Sequence, residues 1–388
     1  MFNHSNRHPS ESREKDIAEH RISRPKECSN SSGRKKTTAA TAAFFRESNY
    51  SHYICRGGTL KMIINLFKTN QISGIVFLIL FQVLVFLSAA FHEVPGLYNK
   101  GDTILYNTLF ESWAYIKWLN LGLSFILVFT QAMIYNYLVI QLNLLGKTTY
   151  LPAFFYLLIA CMLPGNLLFN SGIVAASFIV PAVYILMTAP ADKKPLRTVF
   201  NISILFSIAS LFYLEALFYF PFVLIAMAML GLLTFRSTLV SFIGFLTPYI
   251  YVLSWYFWID DLPGYWERQF TGLIRLIPQS FPFQVTELVL YGLIILLLGL
   301  SLFRYVKTRF TLKVIQRKIY NVFTLFFITS FLVPLFFKEA HKQQIVLLAI
   351  PMGVYLSFYF LNLKRQWIAD VFTLMLFITI AVLQIEFY

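Results

Sequence analysis

Four carboxylates stand in two short stretches of this 388-residue chain. Glu93 and Asp102 follow and flank His92-Glu93-Val94-Pro95-Gly96, and Asp260 and Asp261 open Asp260-Asp261-Leu262-Pro263-Gly264, with Arg268 and Arg275 just beyond. A carboxylate sheltered from bulk water can act as a base or hold a divalent ion, and a guanidinium matches the geometry of a phosphate. Together the two stretches could roof a cavity for a phosphate-bearing lipid. The plainer reading of the same residues is solvated charge at a headgroup layer. Glu215, in Leu211-Phe212-Tyr213-Leu214-Glu215-Ala216-Leu217-Phe218, is more pointed, because it sits between two apolar runs with almost no room for a turn. It is expected at a hairpin tip on the outer surface, with a partly buried, proton-relaying acid as the alternative.

Other chemistries find little footing. Gly146-Lys147-Thr148 resembles the end of a phosphate-binding loop, but the glycine that pattern needs at 141 is Gln141. The three cysteines, Cys28, Cys55 and Cys161, have no ligand or disulfide spacing, so the sequence implies neither a metal nor a cofactor. A net charge of +14 could suggest nucleic acid, yet the cations lie in a polar tail and in short loops between apolar runs rather than on a solvated basic face. No nucleic-acid partner is expected.

What must position these residues is a membrane body. Hydrophobic residues make up 58% of the chain and charged residues 13%, with a mean hydropathy of +0.66, against about 25% charge in a soluble domain. The apolar residues arrive in runs of about 20, the length that crosses a hydrocarbon layer about 30 Å thick. Eleven runs are read, near 73–91, 116–140, 150–167, 171–189, 199–214, 217–234, 239–259, 286–303, 320–337, 343–361 and 368–386. None has the alternation of a barrel strand, so the expected fold is all-α: a polytopic transmembrane helix bundle.

Cations on short loops are retained in the cytoplasm. The 304–318 loop alone carries Arg304, Lys307, Arg309, Lys313, Arg317 and Lys318, and its side of the membrane holds fourteen Lys and Arg in all. The opposite side has only Lys100, Lys117, Arg268, Arg275, Lys338 and Lys342. This predicts the N-terminus inside and, with an odd number of spans, the C-terminus outside. Most acids fall on or near the outer side, which the insertion rule does not require. Residues 1–61 are polar and basic and lack an apolar period. They are expected either to be a disordered tail or to precede a true start at Met62, with 62–388 as the multi-pass domain.

Both acid-bearing loops carry a helical apolar pattern: Leu105, Leu109, Trp113 and Ile116 in the first, and Trp266, Phe270, Leu273, Ile274 and Ile277 in the second. Each is predicted to be a helix lying on the membrane surface. Pro181, Pro248, Pro334 and Pro351 fall inside spans, so each frees a carbonyl that a neighbour must satisfy. Gly172 with Ala176, and Gly292 with Gly299, predict close helix contact.

The stretches Leu163-Pro164-Gly165 through Met187, Phe200-Asn201-Ile202 through Leu217, and Gly244-Phe245-Leu246-Thr247-Pro248-Tyr249 resemble an uncharacterised bacterial family of multi-pass inner-membrane proteins, over most of 62–388. Some relatives carry a carotene-oxygenase label. That chemistry resembles a four-histidine iron site, whereas this body contains only His92 and His341, so the label is not carried over. The resemblance implies a bacterial inner-membrane location and supplies no catalytic residue. The leading expectation is an envelope assembly or scaffold component, with membrane lipids and other envelope membrane proteins as partners. The alternatives are a transferase acting on a lipid-linked, polyprenyl-phosphate substrate at the outer leaflet, whose general plan resembles the two-loop arrangement above, and a transporter of an amphiphilic or anionic solute.

Overall fold

The computed structural model describes residues 67, 72–91, 103–114, 116–191, 195–270, 285–336, 340–363 and 366–387. The expectations for residues 1–61 lie outside them. Every described element belongs to the unit Gly58–Tyr388, and among the described residues every regular element is a helix.

Thirteen α-helices with bounds among the described residues follow in order: α1 (Ile72–Phe91), α2 (Ile104–Ala114), α3 (Lys117–Gln141), α4 (Leu151–Ala160), α5 (Ser171–Thr188), α6 (Pro195–Phe212), α7 (Tyr219–Leu230), α8 (Phe235–Trp258), α9 (Leu262–Phe270), α10 (Val285–Thr308), α11 (Val314–Phe336), α12 (Ala340–Leu361) and α13 (Gln366–Phe387). Eight of them, α1, α3, α5, α6, α8, α10, α12 and α13, are long and apolar enough to cross a membrane. α11 has the length of a span, 23 residues, and opens with Arg317 and Lys318.

Two expected spans fold differently. The 150–167 run gives α4, only 10 residues, or about 15 Å, followed by turns and a short 3-10 segment, Pro164–Asn166. The 217–234 run gives α7, 12 residues, preceded by the 3-10 segment Leu214–Phe218. Hydropathy cannot separate a continuous helix from this, because the broken stretch is equally apolar. Irregular backbone is tolerated at membrane depth only inside protein, and all ten residues of α4 are buried. The carbonyls and amides of the break are also met: Asn166 N–H donates to Leu163 O at 2.9 Å and Leu167 N–H to Pro164 O at 3.1 Å. Phe169 N–H donates to Asn120 Oδ1 at 2.7 Å.

α12 is the centre of the bundle, packed against α4, α5, α10 and α11, while α1 and α8 leave broad apolar faces outward. Between helices in lipid, close packing and hydrogen bonds replace the hydrophobic drive. Gly172 in α5 allows one close backbone approach: a Cβ there would lie 2.9 Å from the Gln343 carbonyl of α12. Gly292 and Gly299 do not act this way, since open space surrounds the position of a Cβ at each. Their seven-residue spacing puts them on one face of α10, but no neighbouring backbone comes close to it. Between α6 and α8, Ser203 and Ser241 hydroxyls meet at 2.7 Å, Ser207 donates to Phe245 O at 2.6 Å, and Ser210 and Tyr249 hydroxyls meet at 2.7 Å.

Pro181, Pro248, Pro334 and Pro351 all lie inside helices. At Pro334 the freed carbonyl, that of Ser330, accepts a long hydrogen bond from Gln344 Nε2, at 3.4 Å. The neighbouring helix thus repairs the break.

Candidate functional site

Polar side chains gather at one end of the bundle, where α2 and α9 lie. α2 is anchored by its own residues: Tyr106 hydroxyl donates to Phe169 O at 3.0 Å, and the Phe110 ring meets those of Phe169 and Phe212 with centroids 4.8 and 6.2 Å apart. Leu109, Trp113 and Ile116 are exposed. The predicted apolar stripe therefore faces away from the bundle, as in a helix seated in the headgroup layer. α9 turns Tyr265 and Gln269, one helical turn apart, inward, and Trp266 outward. The Tyr265 ring lies tilted against that of Tyr256, centroids 4.5 Å apart, and burial, with Tyr249 and Tyr256 nearby, pushes its phenol well above the ordinary value.

Three acid-bearing stretches are tied together here. The buried Thr103 hydroxyl donates to Phe212 O at 2.9 Å, and Ile104 N–H donates to Gln269 Oε1 at 3.2 Å. The residue after Asp102, the end of α6 just before Glu215, and the last turn of α9 thus meet. Gln269 Nε2 is buried and has no hydrogen-bond partner among the described residues.

Glu215 sits in the Leu214–Phe218 turn but is only 5% exposed. The residue expected at a hairpin tip does sit in a turn, but it is buried there rather than solvated. Tyr213 and Tyr219, on either side of it, reach into α12 and α11. Tyr213 hydroxyl donates to Gln344 Oε1 at 3.0 Å, Gln344 Nε2 donates to Tyr219 hydroxyl, and Tyr219 hydroxyl donates to Ser330 Oγ at 2.7 Å. Beside this network Ser171 donates to Gln343 Oε1, and Asn170 caps α5 by accepting from Ile173 N–H at 2.9 Å.

The sequence-predicted residues fare unevenly. Glu93, Asp102 and Arg275 lie outside the described residues, as does His92, and for Arg268 and His341 only the positions in α9 and α12 are described. Asp260 is exposed and has φ 54°, a left-handed turn that Asp tolerates better than most residues. The carbonyl of the half-buried Asp261 accepts from Tyr265 N–H at 2.9 Å, opening α9, where a carboxylate also suits the helix dipole. Both acids therefore have a structural reason to be there. Among the described residues, no three His, Cys, Asp or Glu side chains gather as a metal site.

Tyr213, Tyr219, Ser330 and Gln344 were missed by sequence reasoning. The available signal was polarity inside an apolar run, since a Gln or Ser buried in a span marks either an interhelical bond or a functional site.

Residues 104–388 match a family of unknown function, DUF6427. No curated protein and no solved structure matches the chain.

Proposed function

We propose, for a chain that belongs to the family of unknown function DUF6427, an enzyme of the bacterial inner membrane that acts on a lipid-linked, polyprenyl-phosphate-type substrate at the outer leaflet. The observation that carries this reading is the junction of Thr103, Phe212 and Gln269, which draws the stretches bearing Asp102, Glu215 and Asp261 to one end of the bundle. A scaffold, the leading expectation from the sequence, gives no reason for these acid-bearing stretches to be joined at one end of the bundle.

In this reading the polar end faces outward, the N-terminus is cytoplasmic, and the chain passes through the membrane eleven times. Two features support the count. The 3-10 segment before α7 and α7 itself together extend about 28 Å, close to a hydrocarbon thickness. α4 begins beside Phe67, whose carbonyl accepts from Tyr150 N–H at 2.9 Å, whereas α5 begins beside Asn120 at the polar end.

Glu215 or Asp102 takes the proton of an acceptor hydroxyl. The freed oxygen attacks the carbon bonded to the lipid phosphate, and the phosphate leaves with the electron pair. Arg268 and the unpartnered Gln269 Nε2 are assigned to the phosphate. The test is Glu215→Gln, Asp102→Asn and Asp261→Asn, each assayed for envelope glycans at matched protein level. Loss of the acting base should cost on the order of 10²–10⁴ in rate. Three variants with unchanged glycans would remove the enzymatic reading.

A further inference from the structure

A cavity of about 330 Å³ lies between α10, α11 and α12. Its walls are apolar, with Ile294, Leu298, Phe327 and Leu348 among them, and the two polar groups at its edge, Ser330 and Gln344, are 1% and 2% exposed. Both amide hydrogens of Gln344 are engaged, one by Tyr219 and one by the Ser330 carbonyl, and its oxygen accepts from Tyr213. The Ser330 oxygen accepts from Tyr219. Groups already bonded in this way offer an occupant little hydrogen bonding, so polarity complementarity calls for hydrocarbon.

The depth points the same way. Along α10 the lining runs from Leu288 to Leu298, about 15 Å of helix axis, or half of a hydrocarbon layer about 30 Å thick. It occupies the half nearer the polar end. Leu288 and Ile295 on the rim are 61% and 62% exposed, so the cavity opens sideways toward the acyl region of one leaflet. The volume falls at the low end of small-molecule pockets, about 300–1,000 Å³, room for a short segment of one branched chain rather than for a diacyl pair.

We infer that this cavity seats the phosphate-proximal segment of the single hydrocarbon tail of a long-chain isoprenyl phosphate. The inference rests on the lipid-linked reading above and gives its substrate a docking site. Continuity with the polar end supports it: the inner wall of the cavity is Gln344, held by the two tyrosines that bracket Glu215. A tail in the cavity therefore leaves its head group at the level of the Leu214–Phe218 turn.

The probe is a diazirine-bearing isoprenyl phosphate, photolysed with the full chain in phosphatidylethanolamine/phosphatidylglycerol nanodiscs, and adducts are mapped by peptide mass spectrometry. Adducts are expected on α10–α12, competed by unlabelled isoprenyl phosphate but not by extra phosphatidylglycerol. They should fall at least tenfold in Leu348→Trp and Ile294→Trp and be unchanged in Ile126→Trp, whose side chain faces outward on α3. Both cavity variants must elute as monodisperse protein. Adducts that resist competition mean bulk lipid only and overturn the inference, as does a full yield in both tryptophan variants. Glu215→Gln separates the two proposals. Adducts retained with glycan transfer lost support both. Adducts retained with transfer intact leave the tail site standing and discard the catalytic role of Glu215. Adducts absent from the cavity while transfer is lost discard the tail site alone.

Discussion

Gln344 illustrates how much one buried amide can settle. It accepts from Tyr213, donates to Tyr219 and meets the carbonyl that Pro334 frees, so it joins three helices and the turn that bears Glu215. Asn170 is a second such residue, and its effect is separable from chemistry. Its side chain caps α5 and lies 3.2 Å from Leu168 O. Asn170→Ala should lower stability by about 1–2 kcal/mol, the cost of a lost cap, read as a lower melting temperature in detergent with no new adduct pattern in the cavity. Tyr265 makes a pH prediction. Its phenol keeps its proton in the folded protein at a pH where the unfolded chain has lost it, so the folded state binds more protons above about pH 10. Stability from this group is complete below the unfolded value and is lost as pH climbs past it. A 295 nm titration should show Tyr265→Phe leaving the phenols that titrate near 10 unchanged in number and removing one late-titrating phenol. Loss of an early one would contradict the burial.

Helices were legible in the sequence to a degree that single residues were not. The apolar stripes marked helices in both loops, and α2 and α9 are there, with Leu273, Ile274 and Ile277 of the second stripe outside the described residues, because a period near 3.6 is a property of the segment itself. Small residues were less reliable guides. Gly172 lies against the Gln343 carbonyl while Gly292 and Gly299 face open space, although small-residue spacing, four in the first case and seven in the second, had marked all three. Gly172→Val should therefore push α5 from α12 and cut the yield of folded protein severalfold, whereas Gly292→Val should leave elution and melting unchanged. Equal effects at the two sites would mean that the contact does not limit packing. The break at Pro164–Asn166 was invisible for a related reason, whereas the gap between two apolar runs had marked a turn at Glu215 but not its burial. Hydropathy reports transfer into lipid, and a buried irregular stretch transfers as favourably as a helix once neighbours such as Asn120 meet its backbone.

For the whole molecule, parity is the decisive number. Eight membrane-length helices alone would return both termini to one side, while eleven passes separate them. A cytoplasm-active reporter fused before Ile72 and a periplasm-active reporter fused after Phe387 should both be on, and a C-terminal reporter active only in the cytoplasm would overturn the eleven-pass topology. The sequence by itself determined that the body is helical and membrane-length, because composition and run length act segment by segment. It also flagged the acid-bearing loops, because charge stands out against apolar runs. Only the tertiary structure decided that Thr103, Phe212 and Gln269 meet, that Glu215 is buried in its turn, and that Tyr213, Tyr219, Ser330 and Gln344 form one network. These contacts link residues as many as 165 positions apart. Spacing along the chain carries no trace of them, since in lipid the choice of neighbour depends on shape and on hydrogen-bond partners that a helix acquires only when packed.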